Sequence, residues 1–201
     1  MKKKNKLIEK LKVHFQEVHN ISKIVPDEHT IFSSVAIILR EKAFNLQILF
    51  IKRSKRDNDT FSGHMAFPGG VEEKTDKDTL STAIRETLEE VGLDLNLHGK
   101  LIGRFDDYRP ATPLANHFIV SPFIFYLTDS NFNLIRNPNE VEDVVWIDIN
   151  ELQKILPRSR TSYNKLNGIQ QDYVFDYGKY RIWGMTGKIL YSFLKKIKNV
   201  K

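Results

Sequence analysis

Cysteine is absent from the 201 residues of the chain. This absence excludes disulfide bonds, thiolate metal sites and a cysteine nucleophile, so any metal must be held by oxygen or imidazole ligands. Long hydrophobic runs are also missing, since the longest purely aliphatic run is VAIIL at 35–39, whereas a membrane-spanning helix needs about 20 apolar residues. The start, MKKKNKLIEKLKVHF, is too charged for the core of a secretory signal. The sequence therefore predicts a cytoplasmic protein with no membrane span.

The chain has a net charge of +6, but this charge is concentrated at its ends. Residues 1–12 contain six lysines and one glutamate, and residues 194–201 contain four lysines, so the ends carry +9 and the 181 residues between them carry −3. A nucleic-acid-binding protein would need a basic stripe on its folded body. We therefore interpret the lysines as solvated termini and do not expect a nucleic-acid partner; a loose attraction to anionic partners is the alternative.

Helical and strand patterns alternate along the chain, and several strand pairs are joined by short turns. The predicted helices span 3–18, 77–91, 149–156 and 184–197. The predicted strands span 31–39, 46–53, 65–70, 99–105, 117–127 and 143–149, followed by a hairpin at 172–183. This order predicts the α/β class, with helices packed on a mixed sheet. We expect a single domain over 1–201, with a core at about 29–157, an N-terminal helix at 3–18 and a C-terminal hairpin plus helix at 172–197.

The helix predicted before Gly92 contains three glutamates close together, in the segment AIRETLEEVGL at 83–93. Glu86 lies three positions from Glu89 and four from Glu90, so each pair shares a helix face, and like charges at this spacing cost an isolated helix roughly 0.2–0.5 kcal/mol per pair. Arg85 would offset part of this cost, and a divalent cation would offset all of it. A solvated acidic face is the alternative interpretation.

The segment GGVEEKTDKDTLSTAIRETLEEVGL at 69–93 resembles the Nudix box, whose pattern is G-x5-E-x7-R-E-U-x-E-E-x-G-U with U a bulky apolar residue. The second half of the pattern matches closely. The matching residues are Arg85, Glu86, Glu89, Glu90, Gly92 and Leu93. The resemblance implies a Nudix-type α/β/α sandwich in which this segment forms the catalytic helix.

The first half of the box departs from the family pattern. Thr87 stands where the pattern has an apolar residue. Gly70 and Arg85 are fifteen positions apart, one more than in the pattern, so Asp76 takes the place of the first glutamate and one extra residue follows it. Similar spacing occurs in the subfamily that resembles coenzyme A diphosphatases. The sequence leaves the role of Asp76 open.

The resemblance implies an enzyme that hydrolyses a nucleoside diphosphate linked to another group. Such a reaction depends on positioning and on charge stabilisation by a divalent cation, and Mg²⁺ or Mn²⁺ prefers oxygen ligands. By resemblance, Glu86, Glu89 and Glu90 are metal ligands, joined by the backbone carbonyl of Gly70 or Gly69.

Two further catalytic roles follow from the same resemblance. Arg85 is expected to pair with a box glutamate and orient it. The general base in this family is a box glutamate or an acid on a later loop, so Glu89 and Glu140 are both candidates. Glu142 lies in the same NPNEVED segment, and we expect Glu140 in preference to it; ordinary loop acids are the alternative.

The segment before the box, KRSKRDNDTFSGHMAFPGG, resembles the coenzyme A diphosphatase signature L-L-T-x-R-S-x3-R-x3-G-x3-F-P-G-G. The matching residues are Leu49, Arg53, Ser54, Gly63 and Phe67 to Gly70. Ile51 replaces the threonine, and the second arginine of the signature falls on Asp59. RIWGMTGKIL at 181–190 also resembles a C-terminal stretch of this group. Coenzyme A or a derivative is therefore the first substrate to consider.

Three residues of this segment are candidate substrate contacts. Arg53 has a guanidinium suited to a phosphate, and His64 and Phe67 flank the turn that opens the box. Structural roles are the alternatives for Arg53 and His64. Trp183, in the C-terminal stretch, is expected in the core rather than on a base-stacking surface.

Other functions remain open. Within the same enzyme class, the alternatives to coenzyme A are ADP-ribose, dinucleotide polyphosphates and modified nucleotides. A Nudix module that binds nucleotides without cleaving them is an alternative of another class, although it would be marked by loss of Glu89 or Glu90, and both are present. An RNA-binding or cap-removing role would need a basic body. The family also includes many dimers, so a homodimer is one state to test.

Overall fold

The computed structural model describes residues 8–18, 21–57, 61–110, 112, 115–129, 131–164 and 168–198. The helices are α1 (8–12, continuing as a π-helix over Val13–Val18), α2 (Thr79–Val91), α3 (Leu95–His98), α4 (Ile149–Lys154) and α5 (Gly184–Ile197). The strands are β1 (Ile31–Lys42), β2 (Asn45–Arg53), β3 (Met65–Ala66), β4 (Gly69–Val71), β5 (Gly99–Arg104), β6 (Phe118–Leu127), β7 (Val141–Asp148), β8 (Arg158–Asn164), β9 (Gly168–Tyr177) and β10 (Tyr180–Ile182).

Strands β1 to β7 form one mixed sheet within the described residues. β1 pairs parallel with β6, whereas the pairings of β1 with β2, β2 with β7 and β5 with β6 are antiparallel. The strands at the centre, β1 and β6, are rich in aliphatic and aromatic residues because both of their faces are covered.

β1 and β2 pair over 39–42 and 45–48, next to the turn that joins them. Further from the turn the two strands separate, and the segment that carries β3 and β4 fills the gap: β3 pairs with β2, and β4 pairs with β1. This arrangement places Gly69 and Gly70 in the opening between the two strands.

The two faces of the large sheet are covered by different helices, because side chains alternate along each strand. One face packs against α2, with Ala83 and Val91 in that core. The other face packs against α1, α4 and α5, where Phe15 and Phe193 stack with ring centroids 5.8 Å apart. The structure is therefore an α/β/α sandwich, as the sequence predicts.

β8, β9 and β10 form a second, antiparallel sheet, and α5 packs against β9. None of the described helices combines the length and the apolar composition that a bilayer crossing requires.

Most of the predicted elements lie where the patterns place them, with small differences at their ends. The helix predicted from 77 begins at Thr79, and the helix predicted at 184–197 has those bounds. The strand predicted at 65–70 is two short strands. α4 ends at Lys154, two residues short of the prediction, because the residue before a proline disfavours helical backbone and Pro157 follows Leu156.

Two elements are absent from the sequence prediction, and one prediction lies partly outside the described residues. α3 is one turn long, and β8 has the polar sequence RSRTSYN, which shows no apolar alternation. The first five residues of the helix predicted at 3–18 lie outside the part that the structure describes. The single-domain organisation stays a prediction.

Candidate active site

α2 carries the acidic residues, and both of its ends are fixed by local interactions. The Asp78 side chain accepts a hydrogen bond from the Ser81 N–H and caps the first turn. Gly92 adopts a left-handed backbone with φ 67° and donates its N–H to the Leu88 carbonyl, which ends the helix. Thr87, the departure from the box pattern, is fully buried, and its hydroxyl donates to the Ala83 carbonyl at 2.7 Å. The buried position therefore accepts a threonine, because its polar atom is satisfied within the helix.

A cleft of about 120 Å³ opens at the gap between β1 and β2. Its lining combines acidic and basic side chains with two glycines. The lining residues are Arg53, Ser54, Arg56, Gly69, Gly70, Glu86, Glu90 and Glu140. Such a lining suits an anionic ligand, which the basic side chains would bind, together with a cation, which the acidic side chains would bind.

Glu90 is the most deeply buried acid of the cleft, with 3% of its surface exposed. Its Oε2 accepts a hydrogen bond from the Gly69 N–H at 2.9 Å. Burial raises the pKa of the Glu90 carboxyl to about 8, and the negative charges of Glu86 and Glu140 act in the same direction. A positive charge in the cleft would therefore strongly favour the ionised form of Glu90.

Glu86 lies one helical turn before Glu90 and approaches the backbone of β4 closely. A Cβ atom at Gly70 would lie 2.4 Å from the carboxyl carbon of Glu86, so any other residue at this position would displace the carboxylate. Burial raises the pKa of Glu86, against the opposing effect of Arg85. Gly69 is also required, since its φ of 154° and the approach of Ser34 exclude a side chain.

Arg85 organises the outer side of the acidic helix. Its Nε and Nη2 both donate to the Asp76 carboxylate, each at 3.0 Å, while its Nη1 donates to Glu86 at 2.9 Å and to Glu89 at 3.0 Å. Nη2 also donates to the Val71 carbonyl at 3.0 Å. The expected pairing of Arg85 with a box glutamate is therefore present, and the open role of Asp76 is explained: it is the two-oxygen partner that fixes the guanidinium plane.

Asp76 is buried, with 4% of its side chain exposed. The hydrogen bonds from Arg85 lower the pKa of Asp76 to about 2, and the Glu73 N–H and the Thr82 hydroxyl contribute further. The extra residue between this acid and Arg85 does not prevent the pairing.

The structure separates the remaining predicted acids. Glu140 lines the cleft, whereas Glu142 lies outside its lining and pairs with Lys52 at 2.6 Å. The side chain of Glu89 is half exposed, pairs with Arg85 and is not among the lining residues. Glu140 is therefore in the cleft, Glu142 is outside it and Glu89 is beside it, and the role of Glu140 as a general base stays a prediction.

The loop that presents Glu140 is held at both of its sides. The Ser54 N–H donates to the Glu140 carbonyl at 2.8 Å, and the Asn137 N–H donates to the Glu90 carbonyl at 2.9 Å. Arg56 donates to the Asn139 carbonyl through Nε at 2.8 Å, and its Nη2 lies 3.5 Å from the Glu140 carboxylate. These bonds connect the loop to β2 and to α2, so Glu140 faces the carboxylates of the helix.

Two arginines reach the cleft. Arg53, at the end of β2, is one of the predicted substrate contacts, and its charge lies near Glu90. Arg56 was missed by the sequence analysis, because the signature places its second arginine further along the chain. The RSKR run in β2 and the residues after it was the signal that could have identified it.

The two other predicted substrate contacts lie outside the cleft lining. Phe67 is 2% exposed and stacks on Phe50 in the core with centroids 4.9 Å apart, so its ring is not available to a ligand in the cleft. His64 lies beside Trp183, with ring centroids 4.5 Å apart. The expectation that Trp183 is a core residue is wrong, since 44% of its surface is exposed.

The donor set fits a hard divalent cation by its chemistry. Glu86, Glu90 and Glu140 offer only oxygen atoms, which Mg²⁺ and Mn²⁺ prefer. Glycine at position 70 leaves space for Glu86, and the Gly70 carbonyl faces β1, where it accepts a hydrogen bond from the Ser33 hydroxyl at 2.7 Å. Among the described residues, no three acidic or histidine side chains are already close enough together to hold an ion. The carboxylates would have to move together around a bound cation.

Comparisons with known proteins agree with this geometry. The model of the NUDIX domain family matches residues 30–166. The mitochondrial Nudix hydrolase 15 of Arabidopsis thaliana is 36% identical over 153 residues, covering 73% of this chain and 51% of that protein. The mouse mitochondrial coenzyme A diphosphatase NUDT8 is 28% identical over 155 residues, covering 74% of this chain and 69% of that protein.

Among solved structures, the MutT/nudix family protein from Enterococcus faecalis superposes with a TM-score of 0.53 at 14% identity, covering 94% of this chain and 72% of that chain. This likeness concerns the fold alone. The chain spans only 35%, 51% and 48% of the length of three curated relatives that it matches.

Proposed function

Because the chain belongs to the Nudix family, we propose that it is a divalent-metal-dependent hydrolase of a nucleoside diphosphate linked to another group. The observation that carries this proposal is the convergence of three carboxylates and two guanidinium groups in one cleft beside Gly69 and Gly70. Carboxylates alone would suit a simple cation site, and arginines alone would suit a phosphate site. Their combination suits a cation and a diphosphate together.

The chain's own residues divide the work of the reaction. Arg53 and Arg56 bind oxygens of the diphosphate, and Glu86 and Glu90 would hold Mg²⁺ or Mn²⁺. The bound cation would supply neutralisation of the diphosphate charge and activation of water. Arg85 and Asp76 position the helix carboxylates and do not touch the substrate.

Glu140 is the proposed general base, because it belongs to a loop that faces the helix carboxylates across the cleft. A carboxylate oxygen of Glu140 takes one proton from the attacking water as the new bond from oxygen to phosphorus forms. The bond from phosphorus to the bridging oxygen then breaks, and the leaving phosphate group departs with that oxygen. Arg53 and Arg56 stabilise the negative charge that moves onto it. Glu89, paired with Arg85 beside the cleft, is the alternative base.

Glu140→Gln is expected to lower kcat by about 10²–10⁴-fold, since it removes a proton acceptor while keeping the shape of the side chain. Glu142→Gln is the matched control, because Glu142 lies two residues after Glu140 and pairs with Lys52 outside the cleft lining. Steady-state kinetics would measure both variants. Equal activity of the two variants would exclude Glu140 as the base and would favour Glu89.

Coenzyme A or a derivative is the proposed substrate. The upstream signature with Arg53 supports it, as does the similarity to a protein named as a coenzyme A diphosphatase. ADP-ribose, dinucleotide polyphosphates and modified nucleotides are the competing substrates of the same class. A cytoplasmic location and a homodimer stay predictions, which cell fractionation and light scattering on the purified protein would test.

A hydrolysis screen would test the proposed function directly. The purified chain would be given coenzyme A, ADP-ribose, NADH, diadenosine polyphosphates and nucleoside triphosphates with Mg²⁺ and then with Mn²⁺, and the products would be separated by chromatography. Release of 3′,5′-ADP and phosphopantetheine from coenzyme A, faster than any other cleavage, is the expected result. Cleavage of none of these compounds with either metal would contradict the hydrolase proposal and favour a non-catalytic nucleotide-binding module.

A further inference from the structure

An exposed aromatic pair lies next to the cleft and has no part in the chemistry described above. Trp183 exposes 44% of its surface although it follows directly after a strand whose last residue, Ile182, is fully buried. The ring of His64 lies against Trp183 at a centroid distance of 4.5 Å and an angle of 54°, so the two rings form an open wedge rather than a closed stack. Phe61, 41% exposed, lies edge-on to His64 at 6.1 Å and extends the same aromatic surface.

Backbone pairing fixes the distance between this pair and the cleft. The Arg53 N–H donates to the His64 carbonyl at 2.9 Å, so His64 sits on the segment directly beside a cleft-lining residue. Adjacent paired segments are about 4.8 Å apart. β10, which ends just before Trp183, packs beside β3, which begins just after His64. The aromatic pair thus borders the Arg53 side of the cleft.

Trp183 is also held in place before any ligand arrives. Ile182 pairs with Phe175 in the second sheet, and the Trp183 carbonyl accepts a hydrogen bond from the Gly187 N–H at 3.1 Å. Gly187 in turn packs so closely on β9 that a Cβ atom there would lie 2.2 Å from the Tyr173 carbonyl oxygen. These contacts fix the backbone of Trp183 on both sides, so its ring is presented from a fixed position and the residue loses less freedom when it binds a flat ligand.

We propose that Trp183, with His64 beside it, stacks the nucleobase of the substrate whose diphosphate occupies the cleft. This inference rests on the proposed function, and it assigns the nucleoside arm to the Arg53 side of the cleft. A nucleobase fits because it is flat and polarisable, and indole and imidazole rings provide a π surface that every base can use. Trp183 is therefore a specificity residue, which binds the base of the substrate, rather than a catalytic one.

Intrinsic fluorescence offers a test that needs no turnover. The chain has two tryptophans, and Trp146 lies under Arg40, with the guanidinium carbon 3.9 Å from the ring centroid. In Trp146→Phe the remaining signal comes from Trp183, and in Trp183→Phe it comes from Trp146. ADP with Mg²⁺ is expected to quench the first variant and to leave the second unchanged, whereas inorganic pyrophosphate, which has no base, should quench neither.

Affinity measurements extend the test to energetics. Trp183→Ala should raise the Kd for ADP about tenfold, the size expected for one lost stacking partner, while Trp183→Phe should retain most of the affinity. Pyrophosphate should bind all variants equally. Phe44→Ala is the matched control, because Phe44 is 91% exposed in the turn before β2, at the opposite end of that strand from Arg53, and its loss should leave both affinities unchanged.

The outcomes separate this inference from the proposed hydrolase function. Equal quenching of Trp183 by ADP and pyrophosphate, or an unchanged Kd for ADP in Trp183→Ala, would overturn the stacking role even if wild-type protein hydrolyses a diphosphate. Base-dependent quenching would support the stacking role even if no substrate in the hydrolysis screen is cleaved. A preference of Trp183 for pantetheine over ADP would also overturn it, because the occupant would then be the other arm of the substrate.

Discussion

At the scale of single residues, the pair formed by Arg85 and Asp76 connects folding with the active site. Arg85 donates to Asp76 through two nitrogen atoms and at the same time to Glu86 and Glu89. Asp76 fixes one edge of the guanidinium, and the nitrogen at its other edge donates to the helix acids. A change at Asp76 should therefore affect stability and catalysis together.

Asp76→Asn is expected to lower the free energy of unfolding by about 2 kcal/mol at pH 7, since the pKa of this carboxyl is lowered to about 2 in the folded protein. The stabilisation is fully present above the unfolded pKa of about 4 and is lost as the pH falls toward 2. Urea unfolding at several pH values would show the difference between the variant and wild type shrinking over this range.

Glu73→Gln is the matched control for Asp76. Glu73 lies 3.8 Å from the same guanidinium but is 62% exposed, so this change should cost less than about 0.5 kcal/mol. A loss of stability in Glu73→Gln as large as that in Asp76→Asn would show that burial of Asp76 does not make its pairing with Arg85 more stabilising.

Ionisation of Glu90 destabilises the folded chain, whereas ionisation of Asp76 stabilises it. Its pKa is raised to about 8, so the folded chain holds a proton that the unfolded chain releases, and stability falls as the pH rises from about 4.5 toward 8. Glu90→Gln should therefore be more stable than wild type by about 1–3 kcal/mol at pH 8 in chelator, with little difference at pH 4. Added Mg²⁺ should raise the melting temperature of wild type and leave that of the variant unchanged.

Thermal unfolding in chelator and in Mg²⁺ would measure this effect, with Glu89→Gln as a control at a half-exposed position. If Glu90→Gln unfolded at a lower temperature than wild type at pH 8 without metal, the assigned cost of burying this charge would be wrong.

The residues that sequence could identify are those whose roles follow from local spacing. Arg85, Glu86 and Glu90 share one helix, so their positions on one face follow from the helical period. The sequence did not indicate that Arg56 lines the cleft or that Trp183 is exposed, because their neighbours come from distant parts of the chain. Arg56 contacts the loop at 139–140, and Trp183 contacts His64. Phe67 was assigned to the substrate because its motif position says nothing about which way its ring faces.

At the scale of elements, the turn between β1 and β2 has a strained backbone, although it lies outside the cleft lining. Ala43 and Phe44 have φ angles of 50° and 67°, a left-handed conformation that side chains disfavour. Positive φ at both central positions is typical of a type I′ hairpin turn, which favours asparagine followed by glycine. The strong pairing of the two long strands holds the turn in this shape.

Replacing Ala43 with Asn and Phe44 with Gly should raise the free energy of unfolding by about 1–2 kcal/mol, because the strain of two left-handed residues is relieved. Chemical unfolding of the double variant would measure the change. Asn45→Ala, at the first residue of β2, is the control, because it leaves both turn residues unchanged. An unchanged or lowered midpoint in the double variant would show that the turn is not strained.

Elements were predictable where apolar periodicity or capping residues mark them. α2 has an apolar face and capping residues at both ends, and α5 has an apolar face, so their bounds followed closely from the sequence. β8 was not predictable, since a polar strand paired on one side carries no alternation, and α3 is too short for a period to show. The split of the predicted strand at 65–70 into β3 and β4 depends on the separation of β1 from β2, which is a property of the whole sheet.

At the scale of the whole molecule, helices from the two ends of the chain pack together on the sheet face opposite α2. Phe15 of α1 stacks on Phe193 of α5 and lies edge-on to Phe105 at 6.0 Å. Leu11 is fully buried in the same layer. The N-terminal helix is therefore part of the core and not only a carrier of lysines.

Phe15→Ala should lower the free energy of unfolding by about 3–5 kcal/mol, the usual cost of a large cavity in a core. Val13→Ala, at a position 45% exposed on the same helix, should cost less than about 1 kcal/mol. Turnover per folded molecule should be unchanged in both, because α1 lies on the other side of the sheet from the cleft. Loss of turnover in a fully folded Phe15→Ala sample would contradict this separation.

Two kinds of segment meet at the gap between β1 and β2: the acidic helix with its glycine neighbours, and the connection that follows β2. The connection at 54–64 leaves β2 after Arg53 and returns at Met65, with both ends fixed by strand pairing. Since lengthening such a connection costs little free energy, insertions between Arg56 and His64 would reshape the rim of the cleft while the strands at both ends keep their pairing. A change of loop length between Arg56 and His64 is therefore expected to alter the choice of substrate while the acidic helix and its glycine neighbours keep their positions.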